Sequence, residues 1–334
     1  MSTAPSGRFT RRSSLAAEVR QREQRIGVVG ATGAVGKVTL ELLAERGFLD
    51  VQAFASTRSA GTKVRFGEGT LTVEEATSER LAAAELDLCF FSVGTGASTH
   101  LVPPTAESGT TCIDKSDAFR LTDGIPLVVA GVNDDAVGGG PIVANPNCSA
   151  IQLACVLKPL HDAAGLARVR VATYQSVSGA GAQAMERLRG QSPEENDLRM
   201  DWDFDGVEFD EEEKLREETR KILELPTLPV SATCVRVPVL VGHAEAIWVE
   251  TQEPLSAEQA SSILGAAPGL RLEQFPTPGG AAGGDDVLVG RIRKDSTTEN
   301  GLVLFVVGDN LRKGAALNAI QIAELLLAQQ RVAA

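Results

Sequence analysis

A glycine loop between a short apolar run and a helical pattern constrains this chain more than any other sequence feature. Ile26–Val29 are apolar, GATGAVG follows at residues 30–36, and the apolar spacing of residues 38–46 predicts a helix. Glycines permit the tight turn, and backbone N–H groups at the helix start can bind a diphosphate. This order predicts a dinucleotide site, with a purely structural turn as the alternative. The predicted cofactor contacts are Gly30, Thr32, Gly33, Ala34, Val35 and Gly36.

The residues after the second apolar run, Val51–Ala55, indicate which dinucleotide binds. Dehydrogenases that use NAD commonly place an Asp or Glu at this point to bind the ribose hydroxyls. This chain has Ser56-Thr57-Arg58-Ser59 and no acid. Because hydroxyls and a guanidinium suit a 2′-phosphate, the sequence predicts NADP, with Ser56, Arg58 and Ser59 at that phosphate.

The spacing of apolar runs predicts the fold class. Short, nearly continuous runs in the first half predict strands at 26–29, 51–55, 86–93, 111–114, 127–129 and 142–144. Runs of this kind alternating with helices are typical of a parallel sheet covered on both faces. After a predicted helix at 149–163, alternating strands follow at 169–177, 233–241, 246–251, 287–293 and 302–307. We therefore predict an α/β fold: a Rossmann-type doubly wound parallel sheet plus an α+β catalytic domain with a mixed or antiparallel sheet.

The domain limits follow from these patterns. The last helical pattern, 315–330, can pack back on the first half, so the NADP-binding domain is predicted to comprise 26–147 and 312–334, and the catalytic domain 148–311. The acid-rich stretch 194–224 predicts a solvated helix with loops. Residues 1–25 contain six Arg and two Glu. They predict a flexible extension, with a transit peptide as the alternative.

Composition disfavours several classes of function. A net charge of −12 and 4 % aromatic residues argue against binding to nucleic acid or an anionic membrane. The longest apolar runs are far shorter than the ~20 residues that cross a bilayer. Five cysteines without a C-x-x-C pair predict neither a metal site nor a disulfide framework, and they fit a reducing cytoplasm.

Cys148 is the candidate nucleophile. It follows a proline-containing turn, Asn145-Pro-Asn, at the start of a predicted helix. Backbone N–H groups and the helix dipole at such a position are expected to lower the pKa of a thiol toward neutrality. A structural cysteine is the alternative. The other four cysteines lie in apolar strands or a helix and are expected in the core: Cys89, Cys112, Cys155 and Cys234.

His243 is the candidate acid–base partner of that thiol. It follows Gly242, which gives the backbone freedom beside it. His161, near the end of a predicted helix, and His100, after a Ser/Thr-rich turn, are expected to have local roles. Residue chemistry alone does not separate a catalytic His243 from a structural one.

Five motifs extend along the chain in order: NPNCSAIQ from residue 145, YQSVSGAG from 174, RVPVLVGH from 236, VGRIRKD from 289 and DNLRKGAALNAIQIAE from 309. In these motifs the chain resembles the bacterial aspartate-semialdehyde dehydrogenase family across residues 25 to 330. The acyl-phosphate reductase of arginine biosynthesis shares the chemical logic but has a different cysteine motif. The resemblance implies reductive dephosphorylation of L-aspartyl 4-phosphate with NADPH through a cysteine thioester, in lysine, threonine and methionine biosynthesis. It also implies a cytoplasmic homodimer or homotetramer whose subunit contacts involve the second domain.

The same resemblance implies three catalytic roles. Cys148 would attack the acyl phosphate, His243 would shuttle the proton, and Gln175 would orient the intermediate. It also places three residues beside the cofactor, Asn318 of them near the nicotinamide: Ser178, Gly179 and Asn318.

The implied substrate contacts are charged. Arg236 would bind the substrate carboxylate as a two-pronged donor, which Lys cannot reproduce. Glu211 would bind the ammonium group, and Lys214 and Arg120 the phosphate. Without the resemblance, Glu211 and Lys214 would be interpreted as an exposed pair in an acidic segment.

The chain departs from the family pattern in three places, and the third is a segment that contributes to the subunit interface in the family. The family usually has Asn where this chain has Lys115, which adds a positive charge expected at the phosphate, and Asp117 adds a negative charge nearby. The familiar P-E-V-N has become AGVN at 130–133, and the segment between Gly181 and Glu211 is shorter. Alternatives are therefore a reductase for another acyl phosphate or activated acid in a specialised pathway, or a catalytically silent NADP-binding paralogue. The silent paralogue is disfavoured because the catalytic residues are present.

Overall fold

The computed structural model describes residues 24–138 and 140–333. The predictions for the N-terminal extension, apart from its last two residues, lie outside these ranges.

Seven strands form the first sheet, in the order β3-β4-β2-β1-β5-β6-β7. All neighbours are parallel except β3 and β4, which form an antiparallel hairpin at the edge. Every residue of β1 and β5 is buried, as expected of central strands covered on both faces. The strands are β1 (Ile26–Val29), β2 (Val51–Ala55), β3 (Lys63–Phe66), β4 (Gly69–Glu75), β5 (Leu88–Phe91), β6 (Thr111–Asp114) and β7 (Ile142–Ala144).

Six strands form the second, mixed sheet, in the order β11-β12-β13-β10-β8-β9. Its central pairs are antiparallel, and its two outer pairs are parallel. The strands are β8 (Leu166–Gln175), β9 (Val230–Arg236), β10 (His243–Thr251), β11 (Leu270–Leu272), β12 (Val287–Lys294) and β13 (Gly301–Gly308). The predicted fold class, a parallel Rossmann-type sheet with a second mixed sheet, is confirmed.

Nine α-helices surround the two sheets in the described part of the chain. They are α1 (Ala34–Glu45), α2 (Ser78–Ala83), α3 (Thr95–Glu107), α4 (Cys148–Ala164), α5 (Ala182–Arg189), α6 (Asp210–Leu223), α7 (Ala257–Ala266), α8 (Pro278–Ala281) and α9 (Leu317–Ala333). Residues of α9 from Leu317 to Leu327 join the core of the first sheet. Helix α4 packs into the core of the second sheet, so the chain crosses between cores at Cys148.

Sequence patterns misplaced or missed several elements. The hairpin of β3 and β4 was missed because its strands are largely exposed, which leaves little apolar signal. Helix α3 was missed because it contains two consecutive prolines. The predicted strand 127–129 makes only one isolated bridge, from Leu127 to Ala144. The strand predicted to run to residue 241 ends at Arg236, since Pro238 has no N–H to donate.

The acid-rich stretch is less solvated than predicted. Helix α6 is present, but it buries three carboxylates on one face: Glu211, Glu212 and Glu218. Each accepts hydrogen bonds within the protein; Glu212, for example, accepts from the backbone N–H of Cys234 at 2.9 Å. Burial is tolerable because these donors replace water.

Among the described residues, the helices are too short or too polar to span a bilayer. The same part of the chain contains no cluster of His, Cys, Asp and Glu suited to a metal ion.

Candidate active site

A cleft of about 380 Å³ opens where the carboxyl ends of β1, β5 and β6 meet the second sheet. This edge of a parallel sheet, beside the strand where the order reverses, is where α/β folds usually bind ligands. The segments that line the cleft are the first turn of α1, the loops after β5 and β6, the start of α4, the end of β8, and parts of α6 and of residues 310–315.

The glycine loop at one end of the cleft fits a diphosphate. Gly30 has φ +83°, and a Cβ there would lie 2.2 Å from the carbonyl oxygen of Ser92. A Cβ at Gly36 would lie 2.1 Å from the carbonyl oxygen of Gly30. Helix α1 begins at Ala34, its N-cap residue Gly33 has no side chain to cap it, and no acid lies in its first turn. Its free N–H groups and positive dipole end therefore suit the diphosphate of a dinucleotide.

The residues expected at the 2′-phosphate lie beyond β2, next to this loop. The hydroxyl of Thr32 lies 3.4 Å from that of Ser59. Ser56 and Arg58 are exposed, and Arg58 forms no salt bridge within the described residues. The arrangement leaves a guanidinium and hydroxyls available to a phosphate.

Cys148 is the first residue of α4 and lines the cleft. The preceding Asn147 caps the helix, since its Oδ1 accepts from the N–H of Ser149 at 2.8 Å. Gly314 packs against the cysteine so closely that a Cβ there would lie 3.1 Å from the Cβ of Cys148. The segment at residues 313–316 (Lys-Gly-Ala-Ala) therefore forms part of the cleft wall.

The predicted lowering of the Cys148 pKa is wrong. Burial raises the pKa of the thiol to about 12, and the nearby carboxylate of Glu211 contributes to the rise. Arg120 and Arg236 oppose it. Loss of water around the thiol outweighs these two guanidinium groups and the backbone N–H of Ser149, all of which lower the pKa. The other four cysteines are buried, as predicted.

His243, at the start of β10, lies behind the cleft wall and is fully buried. Its Nδ1 accepts from the backbone N–H of Ser176 at 3.0 Å, which assigns the proton of the neutral ring to Nε2. Nε2 has no hydrogen-bond partner in the described residues. It adjoins Gly179, where a Cβ would lie 3.4 Å away. Burial, with a contribution from Arg236, lowers the pKa of His243 to about 3.

Glu211 and Gln175 meet at the cleft. Oε1 of Glu211 accepts from Nε2 of Gln175 and from Nδ2 of Asn147, both at 2.9 Å. No hydrogen bond to Oε2 is present within the described residues, so that oxygen can accept from a ligand. The carboxylate suits an ammonium group.

Arg236, at the end of β9, presents its guanidinium to the same cleft. Nε donates to Asp201 at 2.8 Å, and Nη1 donates to the carbonyl oxygen of Ser176 at 3.0 Å. The ring of Trp202 lies 4.6 Å from the guanidinium carbon. Sequence reasoning missed Asp201 and Trp202, which belong to the shortened segment before α6.

Arg120 is held in place by three acceptors. It forms an ion pair with Glu218 at 2.9 Å and donates to the carbonyl oxygens of Lys115 and Asn145. Glu218 also accepts from the backbone N–H of Asn147 at 2.6 Å. Glu218 was missed, although its position two helical turns after Glu211 puts both on one face of α6.

Lys214 lines the cleft one turn after Glu211, as the spacing predicted. It pairs with Asp210 at 2.6 Å and with Asp117 at 3.1 Å. Asp117 also accepts from the hydroxyl of Thr95. Lys214 therefore reaches the cleft as a paired cation, and Asp117 links it to the loop after β5.

Two predicted residues make contacts other than those expected. The ammonium of Lys115, expected at the phosphate, instead donates to Ser92 at 2.9 Å and Thr39 at 3.3 Å. The amide of Asn318, expected near the nicotinamide, is fully buried and bonds within the protein, to the backbone at residues 128 and 130 and to Asn145. Asn318 joins α9 to the first sheet and does not line the cleft.

Ser178 and Gly179 line the cleft, as expected of residues beside the cofactor. The hydroxyl of Ser178 accepts from Nδ2 of Asn310 at 2.9 Å. Oδ1 of Asn310 also accepts a hydrogen bond from the backbone N–H of Gly242, the residue before His243, at 2.9 Å. This asparagine, whose part in the site was missed, ties the cofactor side of the cleft to the histidine.

Two family matches cover most of the chain. Residues 25–139 match the semialdehyde dehydrogenase NAD-binding domain. Residues 157–204 and 201–313 match the semialdehyde dehydrogenase dimerisation domain.

Individual relatives agree with these matches. An aspartate-semialdehyde dehydrogenase from Corynebacterium melassecola is 47 % identical, over 90 % of this chain and 99 % of the relative. The crystal structure of aspartate semialdehyde dehydrogenase II from Vibrio cholerae, complexed with ASA, has a TM-score of 0.87 and 40 % identity, covering 91 % of this chain and 98 % of that one. An aspartate semialdehyde dehydrogenase from Candida albicans with NADP has a TM-score of 0.74 and 26 % identity, covering 92 % and 99 %.

Proposed function

The chain belongs to the aspartate-semialdehyde dehydrogenase family, and we propose that it reduces L-aspartyl 4-phosphate to L-aspartate 4-semialdehyde with NADPH, releasing phosphate. One observation carries the proposal: Cys148 lines a cleft with a carboxylate and a guanidinium, beside a glycine loop built for a dinucleotide. These groups match the ammonium, the carboxylate and the cofactor of that reaction.

The charged side chains orient the substrate. Arg236 binds the α-carboxylate with the N–H groups that Asp201 and Ser176 leave free. Glu211 accepts the α-ammonium at Oε2. Both Glu211 and Arg236 line the cleft and lie close enough to Cys148 to shift the pKa of its thiol, so a substrate held by them presents its acyl phosphate near the sulfur.

Arg120 and Lys214 bind the phosphate group. Both line the cleft, and both carry acidic partners that fix their positions: Glu218 for Arg120, and Asp117 with Asp210 for Lys214. Two fixed cations stabilise the charge on the departing phosphate.

The covalent chemistry takes place at Cys148. Its sulfur bonds to the carbonyl carbon as the C–O bond to phosphate breaks, and the thiol proton leaves with the phosphate. When bound beside the glycine loop, NADPH would supply the hydride that reduces the thioester carbon. The C–S bond then breaks as the aldehyde forms, and the departing thiolate regains a proton from solvent in the cleft.

His243 and Gln175 support these steps. The Nε2–H of His243 donates to the negative charge that develops at the sulfur or the carbonyl oxygen. Because Nε2 already carries the ring proton and the pKa of the ring is about 3, the neutral ring stabilises charge and does not take up the thiol proton. Its Nδ1 bond to the Ser176 N–H fixes the ring orientation. Gln175, held by Glu211, orients the carbonyl group of the intermediate.

The glycine loop would hold the diphosphate of NADP, and Arg58 with its neighbouring hydroxyls the 2′-phosphate. The NADP-bound relative from Candida albicans supports this assignment. We also propose a homodimer or homotetramer, supported by the match to a dimerisation domain. A cytoplasmic role in lysine, threonine and methionine biosynthesis completes the proposal.

A second candidate is a reductase for a different acyl phosphate. It is favoured by one observation, that the shortened segment places Trp202 against Arg236 in the cleft. A changed wall beside the carboxylate site could select a substrate of different length.

The test runs the reaction in reverse. Wild-type protein is mixed with aspartate semialdehyde, phosphate and NADP, and formation of NADPH is followed by absorbance. We expect phosphate-dependent turnover that falls at least about a thousandfold in Cys148→Ser and is retained in Cys155→Ala, the control in the same helix. Turnover only with a longer or shorter semialdehyde would favour the second candidate. NADP binding without turnover of any semialdehyde would contradict both.

A further inference from the structure

Lys115 is a charged side chain in the cleft that the proposed mechanism does not use. It follows β6, and its side chain reaches across the carboxyl end of β5 toward α1. Its ammonium donates to the hydroxyls of Ser92 and Thr39 and lies 5.3 Å from the ring centre of Phe90.

The ammonium has no anionic partner in the part of the chain that the structure describes. Within the described residues, no carboxylate lies within salt-bridge distance of its Nζ. The adjacent Asp114 is buried, and its two oxygens accept from Ser98 and Ser116, each at 2.6 Å. A desolvated cation without a counterion is costly unless a ligand supplies the negative charge.

The position of the ammonium indicates which ligand supplies this negative charge. Thr39 lies about one turn along α1 from Gly36, the last glycine of the loop, and Ser92 accepts no other described side-chain donor. Lys115, Ser92 and Val35 of α1 all line the cleft. The substrate phosphate contacts, Arg120 and Lys214, instead face α6 and its carboxylates.

We propose that Lys115 is a cofactor-binding residue whose ammonium pairs with the diphosphate of bound NADP. This inference rests on the proposed function only for the identity of the dinucleotide. It replaces the expectation that Lys115 binds the acyl phosphate. The usual residue at this position in the family, Asn, would carry no charge there.

The charge state of Lys115 should make its contribution to NADP affinity depend on pH. Burial lowers the pKa of Lys115 to about 7, opposed by Asp114 on β6 and by Cys89 on β5. Helix α1 and the loop after β5 face the ammonium with the neutral hydroxyls of Thr39 and Ser92. The diphosphate stabilises the protonated form, so its contribution to NADP affinity is greatest below pH 7 and declines as pH rises.

The experiment measures the dissociation constant of NADP by fluorescence titration, for wild type, Lys115→Met and Lys115→Gln. At pH 6 both variants should bind NADP about tenfold to a hundredfold more weakly. The ratio of variant to wild-type constants should fall toward one at pH 9. Lys37→Met, which removes an exposed charge from the same helix, is the control and should change binding little. Affinity for 2′-AMP, which lacks the diphosphate, should change little in every variant.

Three results would overturn the proposal: unchanged NADP affinity in both variants, a raised KM for phosphate with unchanged NADP affinity, or an equal loss of 2′-AMP affinity. Melting temperatures verify folding, and two variants of different polarity guard against one that fails to fold. The reverse assay with wild-type protein tests the proposed function independently of the Lys115 variants. A wild type that binds NADP without turnover would contradict the proposed function and leave the Lys115 test intact.

Discussion

The side-chain amide of Asn147 donates to Oε1 of Glu211 at 2.9 Å, while the Oδ1 of the same amide caps the helix that Cys148 begins. Asn147 thus ties the helix of the proposed nucleophile to the carboxylate proposed to bind the substrate ammonium. The electrostatic state of the thiol is therefore coupled to α6.

Replacing Glu211 with Gln should make Cys148 easier to ionise. The substitution keeps an oxygen that can accept from Asn147 but removes the negative charge that raises the pKa of the thiol. In wild type, the rate of iodoacetamide labelling at Cys148 should still increase above pH 9. In Glu211→Gln the profile should shift to lower pH by about one unit.

Labelling is measured at Cys148 by peptide mass spectrometry across pH. Glu213→Gln, an exposed position on the same helix, should give the wild-type profile. Coincident profiles for wild type and Glu211→Gln would show that the carboxylate does not act on the thiol.

Asp201 is predicted to position Arg236. Its carboxylate contacts Nε at 2.8 Å, and Arg236 is almost fully buried. Asp201→Asn should raise the KM for aspartate semialdehyde about threefold to tenfold and change kcat less, because substrate binding depends on the guanidinium orientation. Arg236→Lys should raise that KM about tenfold to a hundredfold.

Steady-state kinetics at saturating NADP and phosphate separate the two constants. Asp203→Asn, exposed two residues further along, is the matched control. A fall in kcat with an unchanged KM in Asp201→Asn would show that Asp201 does not act through substrate binding by Arg236.

Glu218 is predicted to stabilise the fold through its buried ion pair with Arg120. The two side chains are 1 % and 11 % exposed. Glu218→Gln leaves the guanidinium uncompensated and should lower the free energy of unfolding by about 3 kcal/mol. Urea denaturation gives this value. Glu217→Gln, at a half-buried neighbouring position, should lower the free energy of unfolding by about 0.5 kcal/mol or less. Equal losses of unfolding free energy in the two variants would show that the buried ion pair does not stabilise the fold.

Glu245 is predicted to make stability depend on pH. It is fully buried, its described partner is Nε2 of Gln152 at 2.6 Å, and burial raises its pKa to about 8. An unfolded chain loses this proton near pH ~4.3. Between these values the folded protein binds more protons, so this group lowers stability as pH rises, by at most about 1.4 kcal/mol per unit.

Glu245→Gln should remove that component. Denaturation of both proteins at pH 5, 6.5 and 8 (values chosen to span roughly the window between the two pKa values) gives the difference in slope. Glu253→Gln, at an exposed position just after β10, should retain the wild-type slope. Parallel curves for wild type and Glu245→Gln would show that Glu245 is ionised in the folded protein.

Local features of the site could be predicted from the sequence. The glycine loop lies between β1 and α1 because strand and helix periodicities are properties of neighbouring residues. The start of α4 at Cys148 is likewise local, set by the Asn147 cap. The motif resemblance to the aspartate-semialdehyde dehydrogenase family is confirmed by relatives across nine-tenths of the chain.

Long-range contacts could not be predicted in the same way. Asp201, Trp202 and Glu218 carry no local motif, and their roles arise only where α6 and the preceding segment pack against Arg236 and Arg120. Side-chain direction was equally inaccessible, so Lys115 was assigned to the phosphate although its ammonium points toward α1.

Sequence alone therefore determined the fold class, the dinucleotide loop and the position of Cys148 at the start of a helix, because each depends on periodicity or on adjacent residues. Only the tertiary structure decided the electrostatics of the site. The pKa of Cys148 is set by burial and by Glu211, which approaches from another helix. Desolvation and charge separation depend on distances in space, and a sequence does not contain them until the chain has packed.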